Sequence, residues 1–322
     1  MISAMPTDTW RRAGHRERPA HAAPDESAGI LKVVVCTRGR SDRLHDTLDA
    51  LARQKNADFD VIVVDQSETA NPALERRAAA DPRLTVIRDS GRGLSRARNI
   101  GWRAAESEWV AFVDDDCRPD PDWAFELQRA LAEHPEACFI SGDVRADVER
   151  PPDYLFVTLP RVAEERLIHG SRTTPQAIGM GVCMAIERKT IMKLDGFDER
   201  LGPGVSPFPA ADDTDFNYRF LRAGGIAYVT PKIRAVHEQW RSPRDTVTLY
   251  RGYSRSWAGL AMKHMRTRDP AGGLWLWLIG VRHIVGMVQT ALRLLSGFRL
   301  RVAAAMLGGF VTGTVKGGLR HW

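Results

Sequence analysis

Short apolar runs alternate with amphipathic stretches between residues 30 and 140 of the chain. The apolar runs are too short for helices and have the composition of strands buried on both faces. The stretches between them place apolar residues every three or four positions, as in Leu44, Leu48 and Leu51, which predicts helices. Strands that alternate with helices form parallel, doubly wound sheets. The pattern predicts an α/β fold with strands at residues 31–36, 59–64, 84–87 and 109–113.

Three consecutive aspartates, Asp114, Asp115 and Asp116, follow the fourth predicted strand. Ligands of open α/β sheets bind at the carboxyl ends of the strands. Clustered carboxylates repel one another unless a cation or solvent compensates them, and Mg²⁺ and Mn²⁺ prefer oxygen ligands. The triplet fits a divalent metal site, and it equally fits a solvated acidic turn before a helix that begins at Pro121. Taken alone, it leaves both interpretations open.

Polar residues also follow two other predicted strands. Residues 37–40 (TRGR) follow the first strand, and residues 65–68 (DQSE) follow the second. Because the carboxyl ends of parallel strands meet at one edge of a sheet, these residues are expected to lie near the three aspartates. This recurrence favours a ligand site over an acidic turn.

The pattern changes after residue 140, where loops and prolines become frequent. Apolar spacing predicts a strand at 179–186, a helix at 212–223, and short strands at 226–229 and 233–236. The last of these strands ends at His237.

Taken in order, seven segments resemble the family 2 glycosyltransferases, which have the GT-A fold. The order of the segments, rather than any one of them, carries the resemblance. It implies a Rossmann-like, mostly parallel sheet flanked by helices, and transfer of a sugar from a nucleotide-sugar to an acceptor hydroxyl, usually with inversion. The segments are VVVCTRGRSDRL (33–44), VIVVDQS (61–67), GRGLSRARNIG (91–101), AFVDDDCRPDPDW (111–123), GMGVCMAIERKTIMKLDGFDER (179–200), ADDTDFNYRFLRAG (211–224) and AVHE (235–238).

The resemblance implies a role for most of the polar residues at the strand ends. Asp116 and His237 are expected to hold Mn²⁺ or Mg²⁺, with Asp114 beside the ribose. The remaining residues expected to bind the donor are Thr37, Arg38, Asp65, Gly93, Arg98, Asn99 and Asp115, where Asp65 contacts the base and Arg98 and Asn99 belong to a phosphate-binding segment. Asp115 has no individual role.

Asp213 is the candidate general base, by the same resemblance. Carboxylates flank it at Asp212 and Asp215, and crowding of like charges raises a carboxylate's pKa toward a useful range. Family members usually have Glu-Asp where this chain has Asp212-Asp213. An alternative is that these carboxylates only complement the dipole at a helix N-terminus.

Composition and charge divide the chain further. Its 322 residues carry a net charge of +6, but residues 241–322 hold 13 basic and 2 acidic residues, which suggests an anionic partner for this tail. Residues 1–28 lack an apolar signal segment and are expected to be disordered. The catalytic domain is expected at 29–240, with a nucleotide-binding half at 29–140 and an acceptor half at 141–240.

The basic tail contains two apolar stretches, at residues 271–295 and 302–315. The longest uncharged run of the first stretch is 271–281, which is shorter than the ~20 residues that span a bilayer. Amphipathic helices that lie on the inner face of the cell membrane are therefore expected, in a cytoplasmic, peripheral protein. A glycan or lipid-linked acceptor would fit this location. Arginines interleaved with apolar residues argue against nucleic acid, and packing of the tail on the catalytic domain remains an alternative.

Two other functions are compatible with parts of this pattern. A nucleotidyltransferase has a similar sheet and metal site, but it normally carries a lysine-containing glycine-rich loop where this chain has TRGR at 37–40. A non-catalytic sugar- or membrane-binding scaffold could keep the fold, but the presence of Asp213 and His237 argues for retained activity.

Overall fold

The computed structural model describes residues 31–39, 41–55, 58–147, 154–156, 161–170, 173–238, 240–267 and 269–322. The segment expected to be disordered, 1–28, lies outside the described residues. The strands are β1 (Leu31–Thr37), β2 (Asp60–Asp65), β3 (Leu84–Arg88), β4 (Trp109–Asp114), β5 (Cys117–Pro119), β6 (Phe139–Ala146), β7 (Leu155–Phe156), β8 (Arg166–Ile168), β9 (Cys183–Glu187), β10 (Ala227–His237) and β11 (Trp240–Arg241). The helices are α1 (Ser41–Ala52), α2 (Pro72–Ala80), α3 (Leu94–Ala104), α4 (Trp123–Glu133), α5 (Arg188–Lys193), α6 (Asp212–Arg222), α7 (Pro243–Arg266), α8 (Pro270–Arg293) and α9 (Gly297–Leu319).

One large sheet forms the centre of the protein, in the order β3-β2-β1-β4-β9-β6-β10-β5, with β8 paired to β10 beside this path. Strands β1 to β4 pair in parallel, as the alternation of strands and helices predicts. Strand β9 runs antiparallel to both of its neighbours, β4 and β6. The sheet is therefore mixed: β1 to β4 are parallel, and beyond the antiparallel β9 the strands β6 and β10 again pair in parallel.

Both faces of this sheet are covered by helices, which explains the nearly continuous apolar runs. Val33 and Val35 of β1 pack in a cluster with residues of α1, α2 and α4, whereas Val34 packs on the other face with residues of α3 and α6. Alternate side chains of a strand point to opposite faces, so each strand contributes to two cores. The α/β class expected from the sequence is confirmed.

Three boundaries differ from the sequence-based expectation. The two strands expected at 226–229 and 233–236 are one strand, β10, whose pairing with β6 shifts register between Thr230 and Arg234. Pro231 lies in this irregularity, where a residue without an N–H group does not break the ladder. Strand β9 begins at Cys183 rather than 179, and α4 begins at Trp123 rather than Pro121.

The C-terminal region is a bundle of α7, α8 and α9 that contacts the α/β domain through buried charges. Lys263 of α7 donates hydrogen bonds to Asp215 of α6 and to Asp198, each at 2.6 Å, and His264 Nε2 lies 3.0 Å from Asp215. Burial opposes ionisation of Asp215, but Arg219 and Lys263 outweigh it and hold the pKa of Asp215 well below its ordinary value. This network fixes the bundle against the helix that carries Asp213.

Helices α8 and α9 are long and apolar enough to cross a membrane, by length and composition alone. The sequence favoured interfacial helices because Arg282 and His283 interrupt the first apolar stretch, but α8 continues through both residues for 24 residues. Trp277 of α8 is half-buried and donates from its indole N–H to Thr314 of α9 at 3.1 Å. The exposed large apolar residues of these helices are leucines and valines.

Candidate active site

A cavity of about 660 Å³ lies at the carboxyl ends of β1 and β4, the edge at which the sequence predicts a ligand site. Nine residues from the sequence-based site line it: Thr37, Arg38, Gly93, Arg98, Asp114, Asp115, Asp116, Asp213 and His237. Asp65 and Asn99 do not line it.

The pairing of β1 with β4 brings Thr37 and Asp115 together. Cys36 lies opposite Asp114 in this parallel ladder, so the next residues of the two strands are neighbours. The Thr37 hydroxyl donates to an Asp115 carboxylate oxygen at 2.7 Å, and both side chains are buried. Asp115, which had no individual role by resemblance, therefore ties the first strand to the acidic triplet.

The pairing of β10 with β5 brings Asp116 and His237 together. His237 lies opposite Cys117 in this antiparallel ladder, and its Nε2 is 3.0 Å from Asp116 Oδ1. His237 Nδ1 is buried and has no hydrogen-bond partner among the residues that the structure describes. One ligand atom each from Asp116, Cys117 and His237 lies within 4.8 Å of the others. A carboxylate oxygen with an imidazole nitrogen is a donor set that suits Mn²⁺, so these residues fit a divalent ion.

Arg98 is buried and bridges the two sides of the cavity. Its guanidinium donates to Asp114 at 3.1 Å, to Asp212 at 2.5 Å and to the Gly181 carbonyl at 3.1 Å. Only 2% of the residue is exposed. The resemblance placed Arg98 in a phosphate-binding segment, but in this structure protein acceptors occupy its guanidinium, and it joins the acidic triplet to the start of α6.

Asp213 lies at the start of α6, facing the cavity. One carboxylate oxygen accepts from the Gly181 amide at 3.0 Å, and the other accepts from the Thr214 amide at 2.6 Å. The adjacent Asp212 is buried, and this burial raises its pKa to about 7 in spite of Arg98. Burial likewise raises the pKa of Asp114, again opposed by Arg98.

Asp65 and Asn99 serve the loops around the cavity. Asp65 pairs with Arg88 and accepts from the Ser67 amide at 2.8 Å. Asn99 donates to the Phe197 carbonyl at 2.8 Å and accepts from the Phe197 amide at 2.9 Å. Asn99 therefore holds the segment around Phe197 against α3. Its side chain does not line the cavity in which the nucleotide-sugar is expected to bind.

Gly93 and Gln66 shape the side of the cavity near β2. Gly93 has a φ of 123°, which a side chain would disfavour, and its amide donates to Gln66 at 3.1 Å. The exposed cations on this side are Arg38, which pairs with Glu68 at 3.0 Å, and Arg92. These two arginines are the cavity's accessible positive charges at the end of the first strand and before α3.

Several lining residues were not assigned from the sequence. Gln66 follows a strand and could have been chosen for that reason, whereas Gly181 contributes backbone groups that leave no side-chain signal. Leu249, Tyr253 and Trp257 of α7 also line the cavity. Their spacing of four identifies one helix face, but only the packing of α7 shows what that face contacts.

The mixed sheet and the acidic strand ends define a GT-A-type α/β protein, and a solved structure of this type supports that class. A mannosyltransferase of Pyrobaculum calidifontis, in complex with GDP-Man and Mn²⁺, matches with a TM-score of 0.59 at 19% identity and covers 92% of this chain and 90% of that chain.

Sequence comparison identifies the family. The profile described as Glycosyl transferase family 2 matches residues 32–194, and the chain belongs to this family. An uncharacterized glycosyltransferase of Haemophilus influenzae is 23% identical over 198 residues, which cover 60% of this chain and 62% of the relative's length. A glucosyl-dolichyl phosphate glucuronosyltransferase of Haloferax volcanii is 26% identical over 239 residues, which cover 70% of this chain and 76% of the relative.

Proposed function

We propose that the protein transfers a sugar from a nucleotide-sugar to an acceptor hydroxyl with inversion, assisted by a divalent metal. The observation that carries this proposal is the convergence, in one cavity, of a buried Asp116–His237 pair and the carboxylate of Asp213. A metal-binding pair and a separate base are the two groups that such a transfer needs. The GDP-Man and Mn²⁺ bound by the P. calidifontis structure are consistent with it.

In the proposed reaction, Asp213 accepts the proton of the acceptor hydroxyl. The amides of Gly181 and Thr214 donate to its two oxygens and so fix the orientation of the carboxylate. The hydroxyl oxygen forms a bond to the anomeric carbon while the bond from that carbon to the diphosphate oxygen breaks. Attack on the face opposite the leaving group inverts the configuration.

The leaving group is a nucleoside diphosphate, and the cavity offers positive charge for it. Arg38 and Arg92 are exposed and line the cavity, and guanidinium groups bind phosphate oxygens in a bidentate manner. When bound at Asp116 and His237, Mn²⁺ or Mg²⁺ supplies further charge stabilisation to the diphosphate. Asp115 accepts from Thr37 and so ties the ends of the first and fourth strands together, whereas Asp114 accepts from Arg98 of α3.

We further propose that the protein is cytoplasmic and acts at the inner membrane surface on a glycan or lipid-linked acceptor. Exposed leucines and valines occur along α8 and α9, and residues 241–322 carry an excess of basic residues. Apolar and basic groups on one surface favour an anionic bilayer. The H. volcanii relative is named for a lipid-linked substrate, which accords with this acceptor class.

A donor panel tests the proposed reaction. Purified protein is incubated with UDP-, GDP- and dTDP-sugars and Mn²⁺, and the released products are separated by chromatography. Release of nucleoside diphosphate from one donor class, lost with EDTA and restored by Mn²⁺, is the expected result. Formation of a nucleoside triphosphate and a sugar 1-phosphate when pyrophosphate is added to the panel would identify a nucleotidyltransferase, and absence of donor binding and turnover across the panel would contradict the proposal.

A further inference from the structure

Helix α7, which lies outside residues 32–194 of the family match, supplies a wall of the cavity. Leu249, Tyr253 and Trp257 are spaced by four residues and therefore lie on one face of this helix. All three line the same cavity as Asp213. The tail is therefore part of the site rather than only an attachment to it.

Close packing holds this helix face in place. A Cβ atom built on Gly252 would lie 3.3 Å from the Pro209 ring, and one on Gly259 would lie 2.3 Å from the Phe208 ring. Gly259 therefore admits no side chain without displacing Phe208, and the helix lies directly on the loop that precedes Asp213. Lys263 adds its buried ion pairs with Asp198 and Asp215 one turn further along. The face of α7 that lines the cavity is consequently fixed relative to the base.

The wall is apolar, in contrast to the acidic strand ends. Trp257 donates its indole N–H to the Leu276 carbonyl at 2.7 Å, within the helical bundle. Because this polar group is already bonded, Trp257 contributes ring carbons to the cavity wall. Leu249 is half-buried, and Tyr253 is 37% exposed, which leaves both accessible to a ligand. Neighbouring lining residues with apolar side chains are Met180, Val182 and Pro209. A sugar hydroxyl gains little from such a wall, whereas an alkyl chain buries surface on it.

We propose that the face of α7 formed by Leu249, Tyr253 and Trp257 binds the apolar aglycone of the acceptor, and so selects amphiphilic acceptors. The proposal rests on the proposed function in that it assigns the cavity near Asp213 to the acceptor. The acceptor's hydroxyl lies at Asp213, and its hydrocarbon part lies along α7. Specificity for the acceptor is then encoded in a helix that is not part of the family's matched segment.

Binding of alkyl glycosides tests this site without requiring turnover. Saturation-transfer NMR is recorded with octyl β-D-glucoside, below its micellar concentration, and with methyl β-D-glucoside, using the full-length protein and a nucleoside diphosphate with Mn²⁺. Strong transfer to the alkyl protons is expected for the wild type, with binding roughly tenfold weaker in L249S/Y253A because contact area for the chain is lost. Methyl β-D-glucoside should bind weakly and equally to both proteins.

The matched control is Leu278→Ser, which removes an exposed leucine of α8 (53% exposed) that does not line the cavity. It should leave octyl glucoside binding unchanged. Loss of binding in L278S with retention in L249S/Y253A would assign the chain to the outer face of the bundle and overturn the proposal. Equal binding of the two glycosides would also overturn it. A conservative Tyr253→Phe variant, which keeps the ring, should bind the octyl chain like wild type, and thermal unfolding verifies that every variant is folded.

Failure of this site is distinguishable from failure of the proposed reaction. If the donor panel yields nucleoside diphosphate but octyl glucoside binding is unaffected by L249S/Y253A, the proposed transferase function is supported and the assignment of α7 to the acceptor is wrong. If octyl glucoside binds at α7 but no nucleotide-sugar is turned over, the cavity binds amphiphiles but the proposed transfer reaction is wrong.

Discussion

At the scale of single residues, the carboxylate of Asp213 is the group most directly tied to the proposed chemistry. It lines the cavity and is oriented by two backbone amides, at 3.0 Å and 2.6 Å. Replacing it with asparagine keeps the size of the side chain and removes its ability to take a proton. We expect Asp213→Asn to lower the turnover number by about 10²- to 10⁴-fold, the usual contribution of a general base.

The measurement for Asp213→Asn is release of nucleoside diphosphate under saturating donor and acceptor. Donor affinity, measured by calorimetry with Mn²⁺, should stay near the wild-type value. Asp46→Asn is the matched control, because Asp46 is an exposed residue of α1 that does not line the cavity. This variant should be fully active. Wild-type turnover in Asp213→Asn would remove Asp213 from the role of base.

The buried Arg98 makes a second residue-scale prediction, this time about stability. Arg98→Met keeps much of the apolar stem but leaves Asp114 and Asp212 without their shared cation in a buried site. Removing one partner of a buried ion pair destabilises a protein by about 3–5 kcal/mol. We therefore expect the free energy of unfolding in urea to fall by an amount in this range.

Arg96→Met is the matched control, since it removes an arginine of the same helix. The ion pair of Arg96 with Asp89 is 2.9 Å long, but the Arg96 side chain is 43% exposed. Pairs with both partners exposed contribute about 0–1 kcal/mol, and although the Asp89 side chain is only 9% exposed, Arg96 itself reaches water, so this variant should lose clearly less stability than Arg98→Met. Equal destabilisation by the two substitutions would mean that Arg98 has no special role as a bridge.

The sequence anticipated the site residues better than their contacts. The acidic triplet, Asp213 and His237 were all singled out, and the structure brings them to one cavity. The role of Arg98 was not foreseen, because its main partner Asp212 is 114 residues away in sequence. The carboxylate that accepts hydrogen bonds from a buried guanidinium is set by the packing of α3 against α6. The local sequence pattern around Arg98 contains no information about that packing.

At the scale of elements, α9 packs on α7 through glycines spaced by four residues. A Cβ atom built on Gly309, Gly313 or Gly317 would lie 2.3, 2.1 or 2.9 Å from atoms of α7. For Gly309 and Gly313 the nearest atoms are the backbone carbonyls of Arg251 and Arg255, so the two helices touch through their main chains. Small residues at this spacing permit such close approach.

Gly313→Leu should therefore destabilise the bundle by about 1–3 kcal/mol or more, because the larger side chain forces α9 away from α7. The expected readout is a lower midpoint of thermal unfolding. Gly308→Leu is the control: a Cβ atom at Gly308 would meet nothing within 4 Å, and loss of a helical glycine favours the helix. Comparable midpoints for both variants would contradict close packing of α9 on α7.

The elements themselves were mostly predictable. Strands β1 to β4 and helix α6 lie where apolar spacing predicts them, since burial on a sheet imposes that spacing. Strand β10 was predicted in two pieces because Pro231 reads as an interruption, and the pairing with β6 continues on either side of it. Pairing across the sheet, which is not visible in the sequence, decided the length of that strand.

At the scale of the whole molecule, the turn between α8 and α9 combines exposed leucines with exposed arginines. Leu294 is 58% and Leu295 is 92% exposed, and the exposed arginines around them are Arg293, Arg299 and Arg301. Leucines gain free energy in the acyl region of a bilayer, and arginines bind anionic headgroups. The buried contacts of α7 with α6 hold the cavity that contains Asp213 in place against the helical bundle to which this turn belongs.

We expect the protein to co-sediment with phosphatidylcholine vesicles that contain phosphatidylglycerol, and less with phosphatidylcholine alone. L294S/L295S should weaken binding about 100-fold or more, because each leucine that inserts into the bilayer contributes about 1.5–3 kcal/mol and every 1.4 kcal/mol is about tenfold. Met192→Ser on α5, where the methionine is 62% exposed, is the matched control and should bind like wild type. Vesicle binding that is insensitive to L294S/L295S would exclude this turn as the contact.

The α/β class, the edge of the sheet at which the candidate site lies, and the family could all be inferred from the sequence alone. These follow from local regularities, since burial fixes the spacing of apolar residues and the carboxyl ends of parallel strands lie together. The folded structure was needed to show that Arg98 bridges Asp114 and Asp212, that β10 brings His237 to Asp116, and that α7 forms part of the cavity. Each of these contacts depends on strand register or helix packing between distant parts of the chain, where the short-range pattern of a sequence carries no information.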